Sequence, residues 1–160
     1  MDLRFSVSGR IARPVDEVFE AVVNPAELSR YFTTGGAKGR LETGATVTWD
    51  FHDYPGAFPV WVIEVIKDRK IVLEWTANEG GPSDGDAAVV ADAGYRTRVT
   101  MSFDALEDGR TLVSIAEEGW RQTPTGLKAS YGNCQGWTFV VCAMKAYLEH
   151  GLNLREGMFR

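Results

Sequence analysis

Cysteine and histidine are nearly absent: the 160-residue chain holds two of each. Cys134 and Cys142 stand eight positions apart in what reads as one helix, about 12 Å along its axis, too far to bridge within it. They read as small buried hydrophobes, and a disulfide-stapled scaffold is excluded. His52 and His150 fall in separate elements with no HxH, HExxH or CxxC spacing, so no metal ligand set is formed. The GxSxG elbow, the GxGxxG and GxxxxGK[ST] phosphate loops and any Ser, His and Asp grouping are missing too. No cofactor is therefore expected, and the sequence advertises no reaction.

An excess of basic charge is also lacking. With 17 Lys and Arg against 22 Asp and Glu, a formal charge of -5 and a pI near 5.1, the chain has no positive field for a polyphosphate, and nucleic acid is not an expected partner. No apolar run approaches the roughly 20 residues that span a bilayer, so membrane insertion is not expected. The opening stretch, Met1 to Phe19, has no apolar segment long enough for a signal peptide, and the expected compartment is the cytoplasm. No repeat or change of composition divides residues 1–160, which read as one domain.

Aromatic residues are what the chain has in quantity: five Trp, five Tyr and eight Phe. Leu3 to Ala12 alternates as a half-buried strand, with Gly9 expected to mark a bulge. From Pro14 the period becomes helical, with Val15, Val18, Phe19, Val22 and Val23 on one face, until Asn24-Pro25 ends it. A shorter helical stretch, Ala26 to Phe32, runs into the Thr33-Thr34-Gly35-Gly36 loop. Strand patterns follow over Ala45 to Phe51, Phe58 to Ile66, Lys70 to Thr76, Tyr95 to Leu106 and Thr111 to Glu118. Most of their connectors are hairpin-like, which predicts an antiparallel meander. The exception is Asn78 to Gly94, long and polar, which reads as a hairpin tip or a lid. After a loop from Trp120 to Thr125, a long helix runs to a Gly151 cap, with Trp137, Val140, Val141, Met144 and Leu148 in one stripe. Gly132 and Gly136 are costly inside a helix, so they predict a close approach of another element.

This order of elements resembles the helix-grip fold of the START-like superfamily, also called SRPBCC. Ile11-Ala12-Arg13-Pro14-Val15-Asp16-Glu17-Val18-Phe19 resembles the opening signature of its branch of activators of heat-shock protein 90 ATPase homologues. Asn24-Pro25-Ala26-Glu27-Leu28 with Tyr31-Phe32, Leu73-Glu74-Trp75, Glu118-Gly119-Trp120, and Gly136-Trp137 with Lys145 to Gly151 are similar to later parts of the same branch. The resemblance implies an α+β fold: a curved antiparallel sheet of about six to seven strands wrapped around a long C-terminal helix, with two short helices after the first strand. It also implies an apolar cavity between sheet and helix that takes a hydrophobic small molecule or lipid.

Ligand binding without catalysis is the leading expectation. The alternative is a module acting on a chaperone, as the family's co-chaperones do; those carry a separate N-terminal domain, whereas here the signature begins within the first dozen residues. A third reading, a cyclase or hydrolase, lacks an acid, base or nucleophile that the resemblance would transfer to a numbered position. The cavity candidates are Trp49, Phe51, Trp61, Trp75, Trp120, Asn133, Trp137 and Val141. Alternation groups Val47, Trp49 and Phe51, then Trp61, Ile63 and Val65, then Ile71, Leu73 and Trp75, without telling which face of each strand is inner. The five Trp either line a space or plug it. One of Glu64, Glu74, Glu117 and Glu118 is a candidate buried carboxylate, Asp50 and His52 a candidate acid/base pair, and Asn133 and Gln135 candidate polar groups at the cavity mouth. The tail, with Leu152, Leu154, Met158 and Phe159, is expected to pack on its own domain or on a second copy of the chain.

Overall fold

Strand β1, Leu3–Ile11, alternates half-buried and exposed side chains along its length, as the sequence pattern predicts. The computed structural model describes residues 1–80 and 92–159. Most of the long connector, read above as a hairpin tip or lid, lies outside the described residues. Pro14 precedes helix α1, Val15–Val23, whose Asp16 and Glu17 sit at the positive end of the helix dipole. Asn24 then caps the short helix α2, Pro25–Leu28, its side-chain oxygen accepting from the Ala26 amide.

Six further strands complete the sheet: β2 Gly36–Lys38, β3 Thr46–Phe51, β4 Tyr54–Ile66, β5 Lys70–Asn78, β6 Asp92–Ala105 and β7 Thr111–Trp120. All pairings are antiparallel, in the order β1-β7-β6-β5-β4-β3-β2, so the last strand returns to pair with the first. The short edge strand β2 was not legible in the sequence. Helix α3, Pro124–His150, covers the sheet, which makes the α+β helix-grip arrangement the observed one. Among the described residues, no helix is long and apolar enough to cross a membrane.

The inner face of the sheet is set by register. Val47, Trp49 and Phe51 of β3, Ile71 and Leu73 of β5, Val99, Met101 and Phe103 of β6 and Val113 and Ile115 of β7 are all buried. On β4 the cavity candidate Trp61 falls on the outer parity. Val60 and Val62 are buried, while Ile63 is exposed and Trp61 lies on the outer face beneath the Arg96 guanidinium, 3.4 Å from the ring centroid. Val62 opposes Leu73 and Val65 opposes Ile71, so β4 carries one more residue than β5 between those pairs. That bulge reverses parity and returns Val65 to the core.

The glycines also read differently in three dimensions. Gly9 pairs regularly with Val113 and marks no bulge. A Cβ there would fall 2.6 Å from the Val141 side chain, so Gly9 lets α3 press close on β1. At Gly132 and Gly136 a Cβ would meet no described residue within 4 Å. Among the described residues no element approaches them, and they open onto space instead. Cys142 is exposed and Cys134 half-buried, because the helix turns Val140, Val141 and Met144 to the core, which leaves Cys142 on the far side and Cys134 at the edge of the buried stripe.

The start of α3 is fixed by backbone contact. Thr123 caps it by accepting from the Gly126 amide, and a Cβ on Gly126 would lie 2.0 Å from the Arg121 carbonyl oxygen. The Arg121 oxygen belongs to the backbone and cannot swing aside as a side chain would. Gly126→Ala is therefore expected to destabilise the protein by about 1–3 kcal/mol despite its better helix propensity. Unchanged midpoints in chemical denaturation would show that the cap region relaxes freely.

Candidate functional site

Between the N-terminal half of α3 and the sheet lies a half-open pocket of about 340 Å³. Its walls are largely aromatic: Phe32 after α2, Phe51 of β3, Phe58 of β4, Trp75 of β5, Trp137 and Phe139 of α3, and Phe159 from the tail. Gly132 and Gly136, one helical turn apart, form the helix side, and both lack the side chains that would fill the space. The rings are held edge to face and in stacks. Trp75 stacks on Trp137 at 5.4 Å, Phe51 on Phe58 at 5.9 Å, and Phe32 meets Phe51 edge-on at 5.0 Å. The rings therefore surround a space in addition to filling the core.

Behind this wall sits Glu117 of β7, with 0% exposure. Its carboxylate accepts from Trp75 Nε1 at 2.8 Å, Thr97 Oγ1 at 2.8 Å, Trp137 Nε1 at 2.9 Å and Asn133 Nδ2 at 3.0 Å. These donors come from β5, β6 and α3, so one side chain ties three neighbouring strands to the helix. Asn133 and Trp137 can both reach it because they are four residues apart on one helix face. Burial pushes the Glu117 carboxyl above the usual carboxylate range, while the four donors pull it down. With no cation against it among the described residues, Glu117 is a buried acceptor whose polar neighbours are committed inward. The indole N–H groups of Trp75 and Trp137 thus turn away from the pocket, which they face with ring carbon.

The mouth is crossed by the tail. Arg155 and Phe159 both line the pocket, Phe159 meets Phe139 edge-on at 5.4 Å, and Arg155 Nη1 donates to Asp53 Oδ2 at 2.8 Å. The guanidinium lies over Phe51 at 5.1 Å and over Phe159 at 4.8 Å. Part of the apolar tail thus packs on its own chain, although Leu152, Met158 and Phe159 keep about half their surface exposed.

Of the eight residues singled out from the sequence, Phe51, Trp75, Asn133 and Trp137 are brought together at this pocket. The other four lie elsewhere. Trp49 is buried behind the wall, edge-on to Trp75 at 5.9 Å and to Phe32 at 5.3 Å, with its indole N–H unpaired among the described residues. Trp61 faces outward because of the β4 parity. Trp120 stacks on Phe5 and borders a separate charged hollow with Glu74, Arg96 and Arg98. Val141 packs against Gly9, one helical turn beyond Trp137. His52 pairs with Glu156 of the tail at 3.5 Å rather than with Asp50. Glu64 pairs with Lys70, Glu74 with Arg98, and Glu118 and Gln135 are exposed. Among the described residues, no three His, Cys, Asp or Glu side chains are grouped to hold a metal.

Sequence reasoning missed Phe32, Phe58, Phe139, Arg155 and Phe159 as pocket residues. Phe58 and Phe159 were visible as apolar residues in a strand and a tail, but nothing local connects them. An Arg set within that apolar tail was the available signal for Arg155.

A family model described as Activator of Hsp90 ATPase homolog 1-like protein matches residues 12–149. Among solved structures, protein SSP2350 from Staphylococcus saprophyticus is similar at 24% identity and a TM-score of 0.72, over 97% of this chain and 96% of that one. DynU16, from the dynemicin biosynthetic locus, is similar at 21% identity and a TM-score of 0.75, over 97% of this chain and only 50% of that one. The Aha1 dimer from Colwellia psychrerythraea is similar at 17% identity and a TM-score of 0.68, over 92% of this chain and 97% of that one. At these identities the likenesses concern the fold. No curated protein matches the chain.

Proposed function

We propose, for a chain that belongs to the Activator of Hsp90 ATPase homolog 1-like family, that the pocket between sheet and C-terminal helix binds an apolar, ring-bearing small molecule without transforming it. The observation that carries the reading is the aromatic lining around about 340 Å³ of space, opened on the helix side by two glycines. A space of that size falls in the usual range for small-molecule sites. Ring carbon faces inward, so burial of an apolar ligand is the dominant gain, on the order of 25 cal/mol per Å² removed from water.

Binding is favoured over catalysis by the state of the polar groups. Among the described residues, Arg155 is the only ionisable one lining the pocket, and it has no basic form for proton abstraction. Glu117 is the nearby carboxylate, but both its oxygens already accept from donors of its own chain and Trp75, Asn133 and Trp137 stand between it and the space. A general base needs a free lone pair within reach of the proton it takes.

Native mass spectrometry of the purified protein, with displacement of a fluorescent fatty acid or of a flavone, tests the reading. Wild type is expected to retain or take up one apolar molecule. Gly136→Phe, whose new ring would enter the space, is expected to lose about tenfold or more in affinity while keeping a helix at least as stable. Equal binding by both proteins would place the ligand elsewhere. The family's name motivates one competing reading, action on a chaperone. A rise in a bacterial chaperone's ATPase rate at saturating protein, retained in Gly136→Phe, would favour that reading over this one.

A further inference from the structure

Among the described residues that line the pocket, Arg155 carries the one formal charge, beside the neutral polar side chains of Thr76, Asn78 and Asn133. Arg155 is 12% exposed in its side chain, lies over the rings of Phe51 and Phe159 and spends one N–H on Asp53. Among the described residues, the other four of the guanidinium's five N–H groups have no protein acceptor. A planar guanidinium lying over two ring faces is restrained in direction, and its remaining N–H groups stand open at the pocket mouth, where an acceptor carried by a ligand can meet them. The Nε and Nη2 pair along one edge matches the two oxygens of a carboxylate.

We infer that Arg155 recognises a carboxylate on the ligand, so that the pocket takes an amphipathic acid with its rings or chain among Phe32, Phe58, Trp75 and Trp137 and its head group at the mouth. This rests on the ligand-binding reading above and narrows it to a chemical class. Asp53 then has a second role. Its Oδ2 occupies one side of the guanidinium and competes with an incoming carboxylate for it, while its Oδ1 is buried with no partner among the described residues. Asp53 therefore tunes the affinity for acids downward, and Arg155 sets the preference for them.

Calorimetric titration with 2-naphthoic acid and with 2-naphthalenemethanol, which share a ring system and differ in the head group, tests the inference at neutral pH. Wild type is expected to bind the acid about tenfold or more tightly than the alcohol. Arg155→Met is expected to bring that ratio to about one, and Arg155→Lys, which keeps the charge without the fork, to restore part of it. Asp53→Asn removes the competing carboxylate and is expected to strengthen acid binding and widen the ratio. If Arg155 only tethered the tail, Asp53→Asn would weaken both probes alike, and that result overturns the inference, as does a wild-type ratio in Arg155→Met. Equal binding of acid and alcohol by wild type overturns it while leaving the ligand-binding reading standing. Binding of neither probe overturns both.

Discussion

Replacing Glu117 by Gln is expected to cost about 3–5 kcal/mol of folding free energy, the range for breaking a buried charged network by altering one member. The volume of the side chain hardly changes, so the cost comes from hydrogen-bond sense. Trp75 Nε1, Trp137 Nε1 and Asn133 Nδ2 can only donate, and Thr97 donates through its hydroxyl in the observed arrangement. A glutamine has one acceptor oxygen, and its amide N–H groups would point at donors. With 0% exposure no water can enter to mediate. Against a typical total stability of about 5–15 kcal/mol, the loss would be evident in denaturant midpoints. A loss below about 1 kcal/mol would show that the carboxylate is not what holds β5, β6 and β7 to α3.

The same group has a pH signature. Burial raises the Glu117 carboxyl above its unfolded value of 4.5. Between those two values the folded protein keeps a proton that the unfolded chain has released, so the group's contribution to stability is fully present below pH 4.5 and falls as pH rises through the raised value. Glu20, Asp108 and Glu149, held below their ordinary values chiefly by hydrogen bonds from Arg40, the Arg110 amide and Lys145, act in the opposite direction. They are common to wild type and Glu117→Gln and cancel in the difference. The stability gap between the two proteins is therefore expected to narrow with rising pH across that window, and a gap that widens would reverse the assignment.

Trp137→Ala is the second large effect. Trp137 is 2% exposed, stacks on Trp75, lies 5.7 Å from Phe32 and donates to Glu117, so truncation removes packing and a charge-assisted hydrogen bond together. A loss of about 3–5 kcal/mol is expected from the cavity and transfer terms. Trp137→Phe separates them: it keeps most of the ring and loses the donor, with an expected cost of about 1–3 kcal/mol. Because Trp137 and Glu117 meet in one network, combining Trp137→Phe with Glu117→Gln should cost less than the two changes summed. Strict additivity in that double-mutant cycle would mean that the indole N–H and the carboxylate are energetically independent, contrary to the 2.9 Å contact.

Much of the fold was readable because its signals are local and periodic. The alternation in Leu3 to Ile11, the helical spacing from Val15 to Val23 and the cap at Gly151 each concern residues within a few positions of one another. The site was readable only in part. Trp75, Asn133 and Trp137 were on view, and Glu117 stood among four comparable strand glutamates, but its selection depends on which parity of β7 turns inward and on four donors at least sixteen residues away.

Trp61 shows the limit most plainly. Its alternation with Ile63 and Val65 is real in the sequence, yet one bulged residue in β4 sends Trp61 to the outer face and Val65 to the core. Gly132 and Gly136 show it again, since a missing side chain signals close approach and open space equally well until the neighbouring surface is known. What the sequence by itself determined is the order of elements, the antiparallel meander and the apolar stripe of the last helix, because each rests on short-range periodicity. The tertiary structure decided the rest: which rings face the space, that Glu117 gathers their N–H groups, and that Arg155 returns from the tail to meet Asp53. Those contacts join residues from about 20 to about 100 positions apart, over which no local pattern carries information.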